Sequence, residues 1–255
     1  MIPNAFKRGM AAGTPQIGLW VSLCSGLAAD IVADVGFDWL VLDMEHSPNE
    51  VTTVLHQMQA IRPYGSTAIV RPMWNDAVVV KRLLDLGAPG LLFPMVQTAQ
   101  EAQAAVAACR YPPKGNRGVS GTHRGNRYGR DKDYPGQVED ETCIIVQVET
   151  RDAMSRVEEI AAVDGVDGVF FGPADIAASM GKLGQITDDE VWKEIFACAA
   201  RVQAMGKPVG TLVTDPELTQ KVLDAGFLFV AVGLDHGLLA RGSEALLARA
   251  RDQVK

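Results

Sequence analysis

The chain has 255 residues, of which 47% are hydrophobic and 22% charged, a composition typical of an ordinary soluble globular protein with a substantial core. Its 24 basic and 31 acidic residues give a net charge of -7. This charge disfavours nucleic acid or an anionic membrane as the main partner, because both attract a positive surface. The length fits one large α/β domain or two small ones.

The four cysteines, Cys24, Cys109, Cys143 and Cys198, are widely separated and form no C-x-x-C motif. This spacing indicates neither a zinc knuckle nor a disulfide framework, so we expect a reduced, cytoplasmic protein. Near the start, Lys7 and Arg8 are followed by Pro15 and Gln16. We expect no signal peptide, and no apolar run approaches the length that spans a membrane.

Short runs rich in Val, Ile, Leu and Phe alternate with stretches of helical periodicity. The predicted strands cover residues 16–23, 39–43, 67–71, 90–94, 143–149, 168–172, 209–213 and 228–232. The predicted helices cover residues 3–12, 26–35, 50–61, 77–86, 98–109, 151–162, 188–205, 216–225 and, as the tail of a last helix, 244–253. Ser25, Asn49, Gln97, Thr150 and Asp215 precede helices, where capping residues are expected.

Eight strands in strict alternation with eight crossovers predict an α/β fold, a (β/α)8 barrel that forms a single domain over residues 1–255. A doubly wound sheet is the alternative, although no G-x-G-x-x-G follows the first strand. One connection, at about residues 110–142, is much longer than the others and is rich in Gly and Arg. Such a segment is either a solvated insert or an interface or lid segment, and both interpretations stay open.

In this fold the working residues lie at the carboxyl ends of the strands. Charged and polar groups are concentrated there. In chain order these ends carry Asp43-Met44-Glu45-His46, Arg71, Gln147-Val148-Glu149, Gly172-Pro173-Ala174-Asp175, Leu212 and Asp235-His236.

Glu149 and Asp175 are the candidate metal ligands, because two carboxylates at the ends of neighbouring strands can share one hard cation. Mg²⁺ or Mn²⁺ is commonly held in this way, with waters and a chelating substrate completing the coordination; Co²⁺ is a further alternative. The competing interpretation is that both carboxylates only stabilise the N-termini of the helices that follow them. Because Arg71 and His46 lie on the same face, we favour the interpretation as a metal site.

Gly172 opens a helix whose free backbone N–H groups suit a substrate carboxylate. Gln147 lies two residues before Glu149, so both side chains point into the barrel mouth, although backbone groups can equally satisfy a buried Gln. Arg71 can pair with a core carboxylate or stabilise developing negative charge. His46 is either a structural histidine or a general base beside Asp43.

Together these residues resemble the HpcH/HpaI aldolase family, the class II pyruvate aldolases of the phosphoenolpyruvate/pyruvate-binding barrel superfamily. The likeness runs from about Gly18 to Leu239. It is carried by Ile17-Gly18-Leu19-Trp20, Asp38-Trp39-Leu40-Val41-Leu42-Asp43-Met44-Glu45-His46, Arg71-Pro72, Phe93-Pro94-Met95-Val96, Tyr111-Pro112-Pro113-Lys114-Gly115, Gln147-Val148-Glu149-Thr150 and Phe171-Gly172-Pro173-Ala174-Asp175-Ile176.

The resemblance implies a homo-oligomer, a hexamer built as a trimer of dimers, and a set of roles. Glu149 and Asp175 bind the divalent metal, His46 accepts a proton directly or through water, and Arg71 stabilises the transition state. The residues expected to contact the 2-oxo acid are Gln147, Gly172, Ala174, Asp175, Trp20 and Leu212.

The resemblance also implies an Asp that raises the basicity of the histidine, and Asp85 matches that position. Asp85 ends the third crossover helix, on the face opposite the strand ends. Either it reaches an active site by another path, such as in a neighbouring subunit, or Asp43 supports His46.

The implied reaction is reversible cleavage of a 4-hydroxy-2-oxo acid to an aldehyde and pyruvate through a metal-stabilised enolate. No strand end offers a Lys for a Schiff base. Two alternatives stay open. One is a CoA-thioester lyase of the malyl-CoA or citramalyl-CoA type, and the other is a non-catalytic protein that binds a metal and a 2-oxo acid.

Overall fold

The computed structural model describes residues 3–254 and shows eight parallel strands that close into a barrel in sequence order. The strands are β1 Gln16–Val21, β2 Trp39–Asp43, β3 Thr67–Arg71, β4 Gly90–Phe93, β5 Cys143–Val148, β6 Gly168–Phe171, β7 Val209–Leu212 and β8 Phe229–Leu234. Because β8 pairs with β1, the sheet has no edge. The predicted (β/α)8 barrel is therefore confirmed, and the doubly wound alternative is wrong.

Helices alternate with the strands and cover the outside of the barrel. They are α1 Ala5–Ala11, α2 Gly26–Ala33, α3 Val51–Ile61, α4 Ala77–Asp85, α5 Ala99–Cys109, α6 Tyr134–Glu141, α7 Arg151–Ser155, α8 Val157–Ala161, α9 Pro173–Ser179, α10 Asp189–Ala204, α11 Pro216–Asp224 and α12 Asp235–Asp252. No helix between residues 3 and 254 is long and apolar enough to cross a membrane.

Three of the predicted caps are confirmed, and two are wrong. The side chains of Ser25, Thr150 and Asp215 accept hydrogen bonds from the first turns of their helices. Glu50, not Asn49, caps α3, and the Asn49 amide instead donates to the carbonyl of Asp43 at 2.7 Å.

At α5 the cap is Thr98 rather than Gln97, and its hydroxyl accepts from the N–H of Glu101. The predicted helix at 151–162 is two short helices that are separated at Arg156. The long connection contains α6, which the sequence did not predict.

The barrel interior is filled by alternate residues of each strand, as the period of two in a strand requires. Trp39 and Val41 of β2 point inward and are fully buried, and Phe6 and Met10 of α1 close the amino-terminal end beneath them. The ring of Phe6 lies 5.2 Å from the ring of Trp39. A Cβ at Gly18 would lie 2.4 Å from the Trp39 indole, so only glycine fits there. The candidate active site lies at the opposite, carboxyl end of the barrel.

The long connection packs against the amino-terminal end of the barrel. Arg117 is buried between the rings of Tyr111 and Tyr134, and its Nη2 donates to Oδ1 of Asp85 at 2.8 Å. The N–H of Gly125 donates to the carbonyl of Asp85 at 2.9 Å. The connection is therefore tied to the end of α4 rather than extended into solvent.

Candidate active site

The alternation that fills the barrel with apolar side chains brings polar ones to its carboxyl end. Asp43 follows Trp39 and Val41 on the inward side of β2, and Arg71 follows Ile69 in the same way on β3. Asp43 and Arg71 are direct neighbours in the strand register. The predicted residues at these strand ends therefore share one mouth.

Arg71 is buried and held by two carboxylates. Its Nε and Nη2 donate to the two oxygens of Asp43 at 2.8 and 2.7 Å, and its Nη1 lies 2.9 Å from Oε2 of Glu45. The guanidinium carbon lies 5.0 Å from the ring centre of Trp20, which is itself buried. Burial alone would lower the pKa of Arg71, but Asp43 and Glu45 raise it above its usual value. The guanidinium is thus permanently charged and fixed in place.

Asp43 is ionised and bound to Arg71 through both of its oxygens. Burial would raise the pKa of Asp43, but the Arg71 guanidinium outweighs that effect and the pKa lies below its usual value. Oδ1 of Asp43 also accepts from the N–H of Glu45 at 3.0 Å and, at 3.5 Å, from that of His46. These contacts brace the backbone of the turn that carries His46.

His46 lies at the rim of the mouth with 65% of its side chain exposed. Its Nε2 is 3.8 Å from Oε2 of Glu45, which is therefore the carboxylate that faces both the imidazole and Arg71. Burial raises the pKa of Glu45 above its usual value, although Arg71 and His46 act in the opposite direction.

Both oxygens of Asp43 accept from Arg71, and the contact of Asp43 with His46 is to its backbone N–H, so support of the His46 ring by Asp43 stays a prediction. Asp85, the other candidate, does not lie in the mouth of its own chain. It lies at the end of α4, on the amino-terminal side of the barrel, and pairs with Arg117.

Glu149 follows β5 and is buried beneath the mouth. Its Oε1 accepts from Nε2 of Gln147 at 2.7 Å, and its Oε2 accepts from the N–H of Met95 at 2.8 Å. The pKa of Glu149 is raised to about 7, chiefly by burial. The hydrogen bond from Met95 is the largest opposing effect, while the charges of Glu45 and Asp175 raise the pKa and that of Arg71 lowers it.

Gly172, at the end of β6, makes room for this carboxylate. A Cβ at position 172 would lie 2.4 Å from Oε1 of Glu149, so any side chain there displaces it. Beyond Gly172, Ala174 and Asp175 lie exposed in the first turn of α9. Leu212, half-buried at the end of β7, packs against the cluster inside the barrel.

The mouth has an excess of negative charge. Asp43, Glu45 and Glu149 interact there with the guanidinium of Arg71, and the charge of Asp175 acts on Glu45 and Glu149. Within residues 3–254, no three His, Cys, Asp or Glu side chains are arranged as a complete set of metal ligands. The predicted metal site needs only two protein ligands, Glu149 and Asp175.

The residues present fit a hard divalent cation. Glu149 is a carboxylate whose charged form burial disfavours, and a cation beside it would reverse that effect. Oε1 of Gln147 is buried without a hydrogen-bond partner, which leaves an acceptor free for a bound group. Oxygen ligands of this kind are those that Mg²⁺ and Mn²⁺ prefer.

Two residues of the site had no predicted role. Glu45 continues the inward alternation of Trp39, Val41 and Asp43, so the period of two was a signal that could have found it. Met95 contributes only its backbone N–H, from a left-handed conformation with φ of 51°. A sequence pattern cannot predict this contact, because the side chain of Met95 takes no part in it.

The fold and the site together define a (β/α)8 barrel with an acidic mouth braced by a buried arginine, a class suited to small anionic substrates and a divalent cation. The HpcH/HpaI aldolase/citrate lyase family profile matches residues 16–242. The chain belongs to this family. The predicted family is thereby confirmed, as is the prediction of an enzyme, a carbon–carbon lyase of the aldolase type.

Individual relatives agree with this assignment. The chain is 53% identical over 247 residues to a 4-hydroxy-2-oxo-heptane-1,7-dioate aldolase of Klebsiella pneumoniae subsp. pneumoniae, with 96% of this chain and 93% of that protein covered. A crystal structure of a family protein from Burkholderia cenocepacia J2315 superimposes with a TM-score of 0.93 at 37% identity, covering 97% of this chain and 99% of the other. The citrate synthase SbnG gives a TM-score of 0.88 at 26% identity, with 98% of each chain covered.

Proposed function

We propose that this protein catalyses the reversible cleavage of a 4-hydroxy-2-oxo acid to pyruvate and an aldehyde, and that 4-hydroxy-2-oxo-heptane-1,7-dioate or a close analogue is the substrate. The observation that carries the proposal is the arrangement of Glu149 and the fixed Arg71 in one mouth that also holds Asp175 and His46. The names of the relatives at 53% identity support the substrate class.

Glu149 and Asp175 would hold the divalent cation, for which we propose Mg²⁺ or Mn²⁺, with Co²⁺ as an alternative. When bound, the cation supplies a Lewis acid for the carboxylate and keto oxygens of the 2-oxo acid. Gln147 orients Glu149 through its 2.7 Å hydrogen bond and leaves its own Oε1 for the substrate side of the site. Membership of the family supports this dependence on a divalent metal.

Arg71 is the group that stabilises the negative charge that develops on the 2-oxo acid when the C3–C4 bond breaks. Its bidentate pair with Asp43 fixes the guanidinium before the substrate binds, so no reorganisation is needed during the reaction. Trp20 lies under the guanidinium and closes the mouth from below, while Leu212 offers an apolar wall.

His46 takes the proton of the 4-hydroxyl, directly or through water, and Glu45 faces the resulting imidazolium from 3.8 Å. The first N–H groups of α9, including those of Ala174 and Asp175, have no acceptor within the helix and suit the substrate carboxylate. We keep two further predictions as proposals. The protein forms a hexamer as a trimer of dimers, and Asp85 supports a histidine in a neighbouring subunit.

The four cysteines are free, which agrees with the reduced, cytoplasmic location that we propose. The arginines of the long connection lie at the amino-terminal end, away from the mouth, so no observation favours the CoA-thioester lyase.

The function is tested by pyruvate release from 4-hydroxy-2-oxo-heptane-1,7-dioate, measured before and after treatment with a chelator and after Mg²⁺ or Mn²⁺ is restored. We expect release that the chelator abolishes and the metal restores. Metal binding without turnover would favour the non-catalytic alternative, and full activity after chelation would remove the metal from the proposal.

The His46→Ala variant tests the step assigned to the histidine. Cleavage needs the 4-hydroxyl proton removed, whereas exchange of the pyruvate methyl protons does not. We expect cleavage to fall by about two to four orders of magnitude, the range for a lost general base, and deuterium uptake by pyruvate to fall far less. An equal loss of both would place His46 at the enolate carbon instead.

A further inference from the structure

A cleft of about 1000 Å³ opens at the amino-terminal end of the barrel, between the end of α3, the start of β3 and the long connection. Arg62, Arg124, Arg127 and Arg130 line it, and we call it the arginine cleft. It is separate from the mouth, which lies at the other end of the strands. Its concentration of positive charge is unusual in a chain whose net charge is -7.

None of the ion pairs within 4.0 Å among residues 3–254 involves these four arginines, although the Asp131 carboxylate lies in the same lining and interacts electrostatically with Arg127. Their hydrogen bonds go to backbone carbonyls instead, from Arg124 to Leu86 at 2.5 Å and from Arg130 to Arg127 at 3.3 Å. Elsewhere buried and half-buried arginines, such as Arg71 and Arg117, do have carboxylate partners. The donors that face the cleft are therefore free to meet an external anion.

The segment that carries three of the arginines is held rigidly. Oδ1 of the buried Asn126 accepts from the N–H groups of His123 and Gly129 at 3.0 and 2.9 Å, and its Nδ2 donates to the carbonyl of Gly121 at 3.0 Å. Arg127 and Tyr128 both have left-handed backbones, with φ of 55° and 58°. Consecutive non-glycine residues in this region are strained, and such strain is concentrated at functional sites.

Arg124 is the least exposed of the four and lies at the C-terminal end of α4, a position that favours a cation. Burial lowers the pKa of the Arg124 guanidinium, and the charge of Arg62 lowers it further. These two like charges repel each other across a cleft that four arginines and one carboxylate, Asp131, line, and an anion between Arg62 and Arg124 would relieve the repulsion.

We propose that the arginine cleft binds a small polyanion that carries at least two carboxylate or phosphate groups. Guanidinium groups recognise the paired oxygens of both groups in a bidentate manner, and the cleft is large enough for more than one anionic group. The exposed ring of Tyr128 offers a flat face to any organic part of the ligand.

The test is isothermal titration of metal-free protein in EDTA at low ionic strength, with citrate and inorganic pyrophosphate as separate probes. We expect one probe molecule per chain, and the tighter of the two identifies the carboxylate or the phosphate as the natural group. Binding should weaken at high salt, because most of the guanidiniums are exposed. The double variant Arg62→Gln/Arg124→Gln should raise the dissociation constant roughly tenfold or more, since each substitution removes a charged donor.

Two matched variants control this experiment. Arg249→Gln removes an exposed charge outside the cleft and should leave binding unchanged. Arg71→Lys alters the mouth and should also leave it unchanged. Circular dichroism confirms that each variant is folded.

Three results would overturn the proposal. They are no binding of either probe to the wild type, equal binding to the double variant, and loss of binding in Arg71→Lys, which would assign the anion to the mouth. If the double variant instead changes the oligomeric state in light scattering while the wild type binds no anion, the cleft is an interface between copies of the chain.

Discussion

The replacement of Gly172 by alanine is the smallest change that tests the geometry of the metal site. The new Cβ would lie 2.4 Å from Oε1 of Glu149 and 2.9 Å from its Cγ, whereas ordinary contacts begin at 3.4 Å. The carboxylate must therefore retreat by roughly 1 Å, several times the tolerance of about 0.2 Å for a metal–ligand distance. No charge and no metal ligand is removed by this substitution.

The carboxylate cannot move without loss, because both of its oxygens are held. Oε1 accepts from Gln147 at 2.7 Å and Oε2 accepts from Met95 at 2.8 Å. The loss of one such bond to a charged group costs about 1.5–3 kcal/mol. We expect metal affinity to fall roughly tenfold to a hundredfold, as for other groups that orient a ligand.

Titration calorimetry with Mn²⁺ measures the affinity, and the rate of pyruvate release at saturating Mn²⁺ shows how much activity the metal recovers. Gly136→Ala is the matched control, because its Cβ would meet nothing within 4 Å. A folded Gly172→Ala protein with the metal affinity of the wild type would refute the reasoning, since Glu149 would then have to bind the metal from another position.

The remaining predictions concern other parts of the mouth. Arg71→Lys keeps the charge but cannot reproduce the two bonds to Asp43, so kcat should fall roughly a hundredfold or more, and a normal rate would make Arg71 structural. Glu45→Gln removes the charge that faces His46 and Arg71, so kcat should fall about tenfold with little change in metal affinity; an equal loss of both would make Glu45 part of the metal site. Because the pKa of Glu149 is raised to about 7, a proton competes with the metal below that pH. Metal affinity should therefore rise about tenfold per pH unit up to about pH 7 and then level off, and calorimetry at several pH values that finds no such dependence would contradict the shift.

Much of the site followed from the sequence because strands have a period of two. Once Trp39 and Val41 are assigned to the barrel interior, Asp43 must point inward at the end of β2, and the same holds for Gln147 and Glu149 on β5. The barrel itself followed from the alternation of apolar runs and helix-period stretches.

The partners of these residues could not be predicted, because they depend on contacts between distant parts of the chain. Met95 and Glu149 are 54 residues apart, and Asp43 and Arg71 are 28 apart. Local signals also competed with one another. Asn49 is a good capping residue by type, but its side chain is drawn instead to the carbonyl of Asp43.

The pairing of Arg71 limits how it can contact a substrate. A guanidinium has five N–H donors, and Asp43 takes the one on Nε and one on Nη2, while Glu45 lies beside Nη1. The edge that is left free consists of N–H groups on the two terminal nitrogens, and Trp20 restricts tilting of the plane. Arg71 therefore offers a fixed pair of donors to one oxyanion rather than a mobile charge. Such a fixed arrangement favours the state in which that oxyanion carries the most charge, which is the requirement for stabilising an enolate.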